Sequence, residues 1–256
     1  MSKIITTVLF AFLFSISSYA QPSAWQASGK QEIIEEYKNA CNWLMNTPSY
    51  FFRLKYTSYK DYVTKEYLES AEAYYKRVTN NYRTDALGIK TLQNSKIKIV
   101  VDTANNTVTV MSPSSVSLTI SSAEELETML NNTKALKKIK ASKTTVCYRV
   151  DFNKNSLYEA YEFSVNDKGI LERITFYYSE QNNNENEYAQ QSNEKSKGSK
   201  MKPRLEILFF GYQVPALFSK SDFEDPQVLI NAKGKISLTG SYKNYRLLDY
   251  RLHNEK

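Results

Sequence analysis

The strictest pattern in the chain lies at residues 96–111. Two β-branched runs, Lys96-Ile97-Lys98-Ile99-Val100-Val101-Asp102 and Thr107-Val108-Thr109-Val110-Met111, flank Thr103-Ala104-Asn105-Asn106. Ile97, Ile99 and Val101 fall on one face and Lys96, Lys98 and Val100 on the other, the period of a half-buried strand. Val108 and Val110 continue the alternation. Asn tolerates the positive φ of tight turns, so Asn105-Asn106 reads as the tip of a hairpin. The hairpin has strong neighbours on both sides, and one large antiparallel sheet is expected around it.

Before the hairpin, residues 50–59 alternate Phe52, Leu54 and Tyr56 with Arg53 and Lys55, a strand with one wet face. Residues 70–78 and 81–87 read as the next two strands, joined at Thr79-Asn80-Asn81. Beyond it, Val146, Tyr148, Val150 and Phe152 share a face. Tyr161, Phe163 and Val165 follow, then Ile170, Ile174, Phe176 and Tyr178. Asn166-Asp167-Lys168-Gly169 and Asn231-Ala232-Lys233-Gly234 both have the chemistry of a type I turn with Gly left-handed. Residues 205–212 put Leu205, Ile207 and Phe209 on one side and Leu208, Phe210 and Tyr212 on the other, predicting a strand covered twice. Residues 236–238 and 245–247 supply one or two edge strands. The total is about 9–11 strands, and an open sheet of that size must curl.

Two helices are expected. Residues 21–29 read as a loose leader with Trp25 docked. Ser28 and Gln31 fit a capping box ahead of a helix with Ile33, Ile34, Tyr37, Cys41, Leu44 and Met45 on one face. Asn46-Thr47-Pro48 stops it. Ser121 or Ser122, with Glu124 or Glu125, starts a short second helix with Leu126, Met129 and Leu130 on its apolar side. Lys134, Lys137, Lys138, Lys140 and Lys143 make a basic stretch that reads as a solvated helix end or connector. Residues 180–202 are almost all Asn, Gln, Glu, Ser and Lys and are expected to be disordered. The fold class is mainly β (α+β): a large curved antiparallel sheet or unclosed barrel, with the helices over its concave side, in a single domain spanning 21–256.

The start of the chain is an address. Met1-Ser2-Lys3 is a positive n-region, residues 4–16 are an apolar core too short to span a bilayer, and Ser18-Tyr19-Ala20 fits a signal peptidase site. Cleavage after Ala20 places the protein in the periplasm or outside the cell. The formal charge of +7 is spread along the chain and reads as a solubilising face. An anionic partner such as lipid headgroups or an acidic protein is the alternative. Given the export signal, no nucleic-acid partner is expected. In an oxidising compartment, the spacing of Cys41 and Cys147 leaves both a disulfide and two free thiols open.

Catalytic chemistry is sparse. His253 is the one His, which argues against imidazole triads and His-rich zinc sites. Two distant Cys make no metal knuckle, and neither GxGxxG nor a P-loop occurs. Glu159 with Glu162, or Glu172 with Glu206, are nominal carboxylate pairs, each placed where a wet strand face expects charge. Asp102-Thr103-Ala104 resembles a three-residue O-glycosylation acceptor pattern. The expectation is therefore no enzyme, no metal and no cofactor, with any ligand-binding residues unknown. The 20 tyrosines lie mostly in strands, as core or as the lining of a lipid or glycan groove.

This order of signal peptide, amphipathic helix, strand meander, short helix and more strands resembles the LolA-like lipoprotein-carrier superfamily. The residues that carry the likeness are 50–113, including Tyr74-Tyr75 and the hairpin at 97–111. The resemblance implies an unclosed antiparallel barrel with helices lidding an apolar cavity. It also implies a non-catalytic envelope protein binding an acyl chain or a lipid-bearing partner. The alternatives are a structural or interaction subunit of an envelope assembly, its interior filled by its own side chains, and a tyrosine-mediated glycan binder. An empty apolar cavity above about 300 Å³ marks the first reading. A packed interior with an exposed strand edge marks the second.

Overall fold

A computed structural model describes residues 24–114, 123–179 and 202–251. The expected export segment, Ser121, Ser122, nearly all of the polar insert and His253 lie outside the described residues.

In chain order the elements are β1 (Gln26–Ala27), α1 (Lys30–Asn46), β2 (Ser49–Tyr59), β3 (Tyr67–Val78), β4 (Asn81–Ala86), β5 (Ile89–Gln93), β6 (Lys98–Asp102) and β7 (Thr107–Met111). Then come α2 (Ala123–Met129), β8 (Thr133–Lys140), β9 (Thr145–Phe152), β10 (Tyr158–Asn166), β11 (Leu171–Tyr178) and β12 (Arg204–Gln213). β13 (Val228–Ile230), β14 (Ile236–Leu238) and β15 (Arg246–Tyr250) close the chain. Thirteen strands form one sheet in the order β1-β8-β9-β10-β11-β12-β2-β3-β4-β5-β6-β7-β15, and β13 pairs with β14. The two end strands do not pair with each other, so the sheet is an unclosed barrel. Two meanders, β2–β7 and β8–β12, are stitched by the β12–β2 pair.

α1 leaves β1 at one edge and must reach β2, six strands away. Six spacings of about 4.8 Å make an arc of roughly 29 Å, and 17 helical residues span about 25 Å. The helix length therefore matches the chord of a sheet curled beneath it. Ile33, Ile34, Tyr37, Ala40 and Leu44 are buried against that inner face, together with Leu126 and Leu130 from the second helical segment. Thr47 ends α1, its N–H and hydroxyl both donating to the Trp43 carbonyl, and Pro48 cannot continue a helix.

Cross-strand register shows that the second half of the sheet is covered from the other side. Phe52, Tyr75, Thr84, Thr91, Val100 and Thr109 lie opposite one another in succession on the inner face. Leu92, Ile99 and Val110 form a neighbouring row that points outward. These outward residues, with Val101 and Val108, are buried under Val228, Ile236 and Tyr242 of the C-terminal segment. The hairpin at 96–111 is thus half-buried on the outer face. The segment is pinned by Lys76 Nζ to Asp222 Oδ1 at 2.8 Å and by Lys90 Nζ donating to the Tyr242 hydroxyl at 2.8 Å.

Several expectations are corrected. The sheet has thirteen strands where about 9–11 were expected; β1, β5 and β8, none of them expected as strands, account for the excess. β15 pairs parallel to β7, so the sheet is mixed. The leader is not wholly loose, since Gln26 and Ala27 pair with Lys138 and Lys137, and Trp25 is exposed. Gly29, not Ser28, is the N-cap of α1, and the Ser28 hydroxyl donates to Glu32 Oε2 instead. The basic stretch is strand β8, because its lysines alternate between faces: Lys137 reaches Asp151 on the outside and Lys138 reaches Glu32 on the inside. The turn after Asp102 has four residues, with only Asn106 at positive φ (+50°). Both Asn-x-Lys-Gly turns form as expected, Gly169 and Gly234 left-handed and the Asn side chains each accepting two backbone N–H groups.

β12 is not covered twice. Phe209 is buried, but Leu208 is 39% exposed on the outer face. Gly211 adopts φ +64°, and the register shifts between Phe210 and Gln213. That irregularity turns Tyr212 back to the inner face, where its ring meets Phe52 and Trp43.

Candidate functional site

The inner face beneath α1 is where a half-barrel would hold a ligand, and here it is full. Tyr37, Tyr50, Phe52, Tyr161 and Phe163 are all below 2% exposed. Tyr37 meets Phe163 edge-on at 5.3 Å, and Phe163 stacks on Tyr148 at 5.1 Å. A ladder of rings, Tyr50, Phe52, Tyr75 and Tyr82, crosses β2, β3 and β4 with planes within 22° of parallel. Offset ring pairs of this kind add about 0.5–1.5 kcal/mol each beyond area burial. The strand tyrosines beneath the helix are core. Burial pushes the hydroxyls of Tyr50, Tyr75 and Tyr212 up, making them harder to ionise, as it does the thiols of Cys41 and Cys147.

A cleft of about 340 Å³ opens where α1 passes the turns of β8–β9 and β10–β11. Val146, Val165 and Tyr148 line it together with Glu36, Lys140 and Lys143. The Tyr148 hydroxyl is pushed up to about 12 by burial and by the carboxylates of Glu36 and Glu32. The volume is at the small end of ligand pockets, and its charged rim sets it apart from a sealed apolar chamber.

The nominal carboxylate pairs are engaged on the sheet. Glu162 accepts from Arg149 Nη1 at 2.6 Å and from the Tyr177 hydroxyl at 3.1 Å. Glu159 pairs with Lys202, and Glu206 lies 3.8 Å from Arg173. Glu172 occupies the bulge between Leu171 and Arg173 and accepts from Thr145 and Asn166. Glu162 also belongs to a ladder across the outer face: Lys137, Asp151, Arg149, Glu162 and Tyr177, each bonded to the next. Among the described residues, no group of three or more His, Cys, Asp or Glu side chains could hold a metal ion. Thr103 is exposed in its turn, its hydroxyl donating to the Gly88 carbonyl. Among the described residues no helix is long and apolar enough to cross a membrane.

Cys41 and Cys147 are both free. Cys41 packs against the inner core from α1, while Cys147 lies opposite Ser164 in the row facing away from the helix. The sheet stands between them. Sequence spacing carried no sign of this, because it follows from which parity of β9 faces α1.

The sequence reading missed the stepped margin of β3, whose upper half extends past the end of β4. Residues 67–73 have a strand partner on the β2 side alone among the described residues, with Tyr67 64% and Leu68 55% exposed. The signal was available only as unequal strand lengths, twelve residues against six.

No family model matches the chain, and no curated protein matches it. Solved structures that match include a DUF1329 family protein from Desulfovibrio piger ATCC 29098, 14% identical with a TM-score of 0.29, the match covering 74% of this chain and 96% of that one. They also include a LolA superfamily protein from Nitrosomonas europaea, 9% identical with a TM-score of 0.27, covering 78% and 99%.

Proposed function

We propose that this chain is a non-catalytic binding protein of the periplasm or cell exterior that engages a protein partner of the cell envelope at its surface. The observation that carries this reading is the filled interior: five large side chains below 2% exposed occupy the space beneath α1. A half-barrel whose inner face is filled by its own buried rings has no room for an acyl chain without opening, because interdigitated core side chains leave few voids larger than a water molecule. The charged groups of the outer ladder and of the C-terminal cover are engaged with one another, which suits a scaffold. A second reading, a carrier for a lipid-bearing partner, draws on the cleft of about 340 Å³ with Lys140 and Lys143 at its rim. Lysines at an apolar mouth suit an anionic amphiphile.

Native mass spectrometry of the protein purified from its own envelope separates the two. A stable protein partner with no bound lipid is the expected result. A co-purifying lipid and no protein partner would overturn the first reading in favour of the second.

A further inference from the structure

The step in β3 has a specific backbone geometry. The two-residue turn at Thr79-Asn80 closes on Val78 and Asn81, and such turns close on a hydrogen-bonded pair. Counting back by twos, the even residues of β3 direct their N–H and C=O groups toward β4. Above the end of β4, Ser70 and Glu72 direct theirs toward solvent. Both residues are exposed.

Exposed edges invite another strand, and proteins usually blunt them with lysine, proline, short length or a covering segment. The two ends of this sheet are blunted. β8 carries Lys134, Lys137, Lys138 and Lys140 and is partly capped by β1, and β15 is only five residues long. Residues 67–73, Tyr-Leu-Glu-Ser-Ala-Glu-Ala, contain no Lys, Arg or Pro. The β4–β5 turn forms the floor of the step and adds Leu87, 67% exposed.

We propose that this edge receives an extended, basic segment of another polypeptide by strand addition, pairing with the backbone of Ser70 and Glu72. Main-chain pairing would supply affinity, and alternate side chains of the guest would supply selectivity. Glu69 and Glu72 are the only charges on the edge, and they fall on opposite faces of the strand. A guest with Lys or Arg at both parities complements them. A second copy of this chain fits less well, because edge-to-edge pairing would add a second Glu69 and Glu72 to an edge whose cross-strand cation, Lys55 opposite Glu72, sits on β2 of the same copy. The proposal rests on the reading of the chain as a protein-binding module.

The test uses the full chain and a synthetic probe, the capped peptide Lys-Val-Lys-Val-Thr-Val-Lys. Binding is expected to slow amide exchange at Ser70 and Glu72 at least tenfold and to leave β8 and β15 unchanged. The E69K/E72K variant should bind this peptide at least tenfold more weakly and gain binding to Glu-Val-Glu-Val-Thr-Val-Glu. Ser70→Pro should also abolish binding with unchanged circular dichroism, since proline is tolerated where an edge N–H faces solvent. Ser70 and Glu72 amides already protected in the free chain, protection at another strand, or a dimer that protects them would each overturn the proposal. A protein partner retained in native mass spectrometry while this edge stays in fast exchange would sink strand addition and leave the proposed function standing.

Discussion

Phe52 and Tyr75 lie directly opposite on β2 and β3, their rings 5.5 Å apart and 3° from parallel. The pair sits where the helix-covered half of the sheet gives way to the half covered from outside. Phe52 also touches Tyr50, Phe209 and Tyr212, so truncating it leaves a cavity lined by rigid rings that cannot collapse into it. Phe52→Ala should cost about 3–5 kcal/mol, read as a lower midpoint in urea with an unchanged slope. Tyr82→Ala, at the far end of the same ladder, should cost clearly less.

The C-terminal cover should loosen in acid. Asp222 is held down from 3.8 to about 2, chiefly by its bond from Lys76 Nζ and then by the backbone and hydroxyl of Ser219. A carboxylate depressed in the folded state stabilises it above the unfolded value, and this contribution is lost as pH falls through the folded value. The window is therefore about pH 4 down to 2. Solvent screening keeps the effect modest. Protection of the β13 and β14 amides, referred to the intrinsic exchange rate at each pH, should fall across that window in the wild type. Asp222→Asn should show lower protection already at neutral pH and lose the further fall in acid.

Strand identity was legible because alternation is local: every run chosen by period two before and after the hairpin became a strand, and both Asn-x-Lys-Gly turns formed. The side of the sheet each half buries was not legible. Ile99 and Phe52 carry the same alternation, yet one faces the C-terminal segment and the other faces α1, a choice made by chain crossings tens of residues away. β8 was misread because lysine density masks a strand whose charged heads reach partners on both faces. The packed interior was not readable either, since strand tyrosines look alike whether they line a groove or fill it. The step at β3 depends on where β4 stops, and turn chemistry at Leu87-Gly88 gives that only to within a residue or two.

Cys41 and Cys147 should both be titratable as thiols under any oxidising condition that leaves the fold intact, because the sheet separates them. Alkylation in denaturant without reductant should add two adducts per chain, and migration on non-reducing gels should match the reduced sample. In the native state both should react slowly, since burial raises each thiol and the thiolate is the reactive form.

Gly211 should resist substitution although there is space around it. A Cβ there would meet only the Arg53 side chain, at 4.0 Å, so crowding is not the obstacle. Its φ of +64° is, costing an L residue about 1–2 kcal/mol. Relaxing that angle would also undo the irregularity that turns Tyr212 inward. Gly211→Ala should therefore destabilise by more than the backbone term alone and shift the near-ultraviolet signal of the Tyr212–Trp43 contact. Gly211→Asn should be milder, because Asn tolerates this region.

The outer ladder turns on Arg149. Its guanidinium bonds Asp151 Oδ1 at 2.7 Å and Glu162 Oε1 at 2.6 Å and lies 5.0 Å from the Tyr177 ring centre. Arg149→Leu keeps an apolar side chain at the position but strands two carboxylates beside each other. Losing charge-assisted bonds of this kind costs about 1.5–3 kcal/mol. The double variant Arg149→Leu with Glu162→Gln should recover part of the loss, because replacing both partners of a pair costs less than orphaning one. Asp151 identifies the mechanism. Burial pushes its carboxyl up, but the bonds from Lys137 and Arg149 win and hold it below its ordinary value. In the single variant the Lys137 bond remains and the Arg149 bond is gone, so the Asp151 titration measured by carboxyl NMR should move upward. An unchanged Asp151 titration alongside lost stability would assign Arg149 a packing role instead.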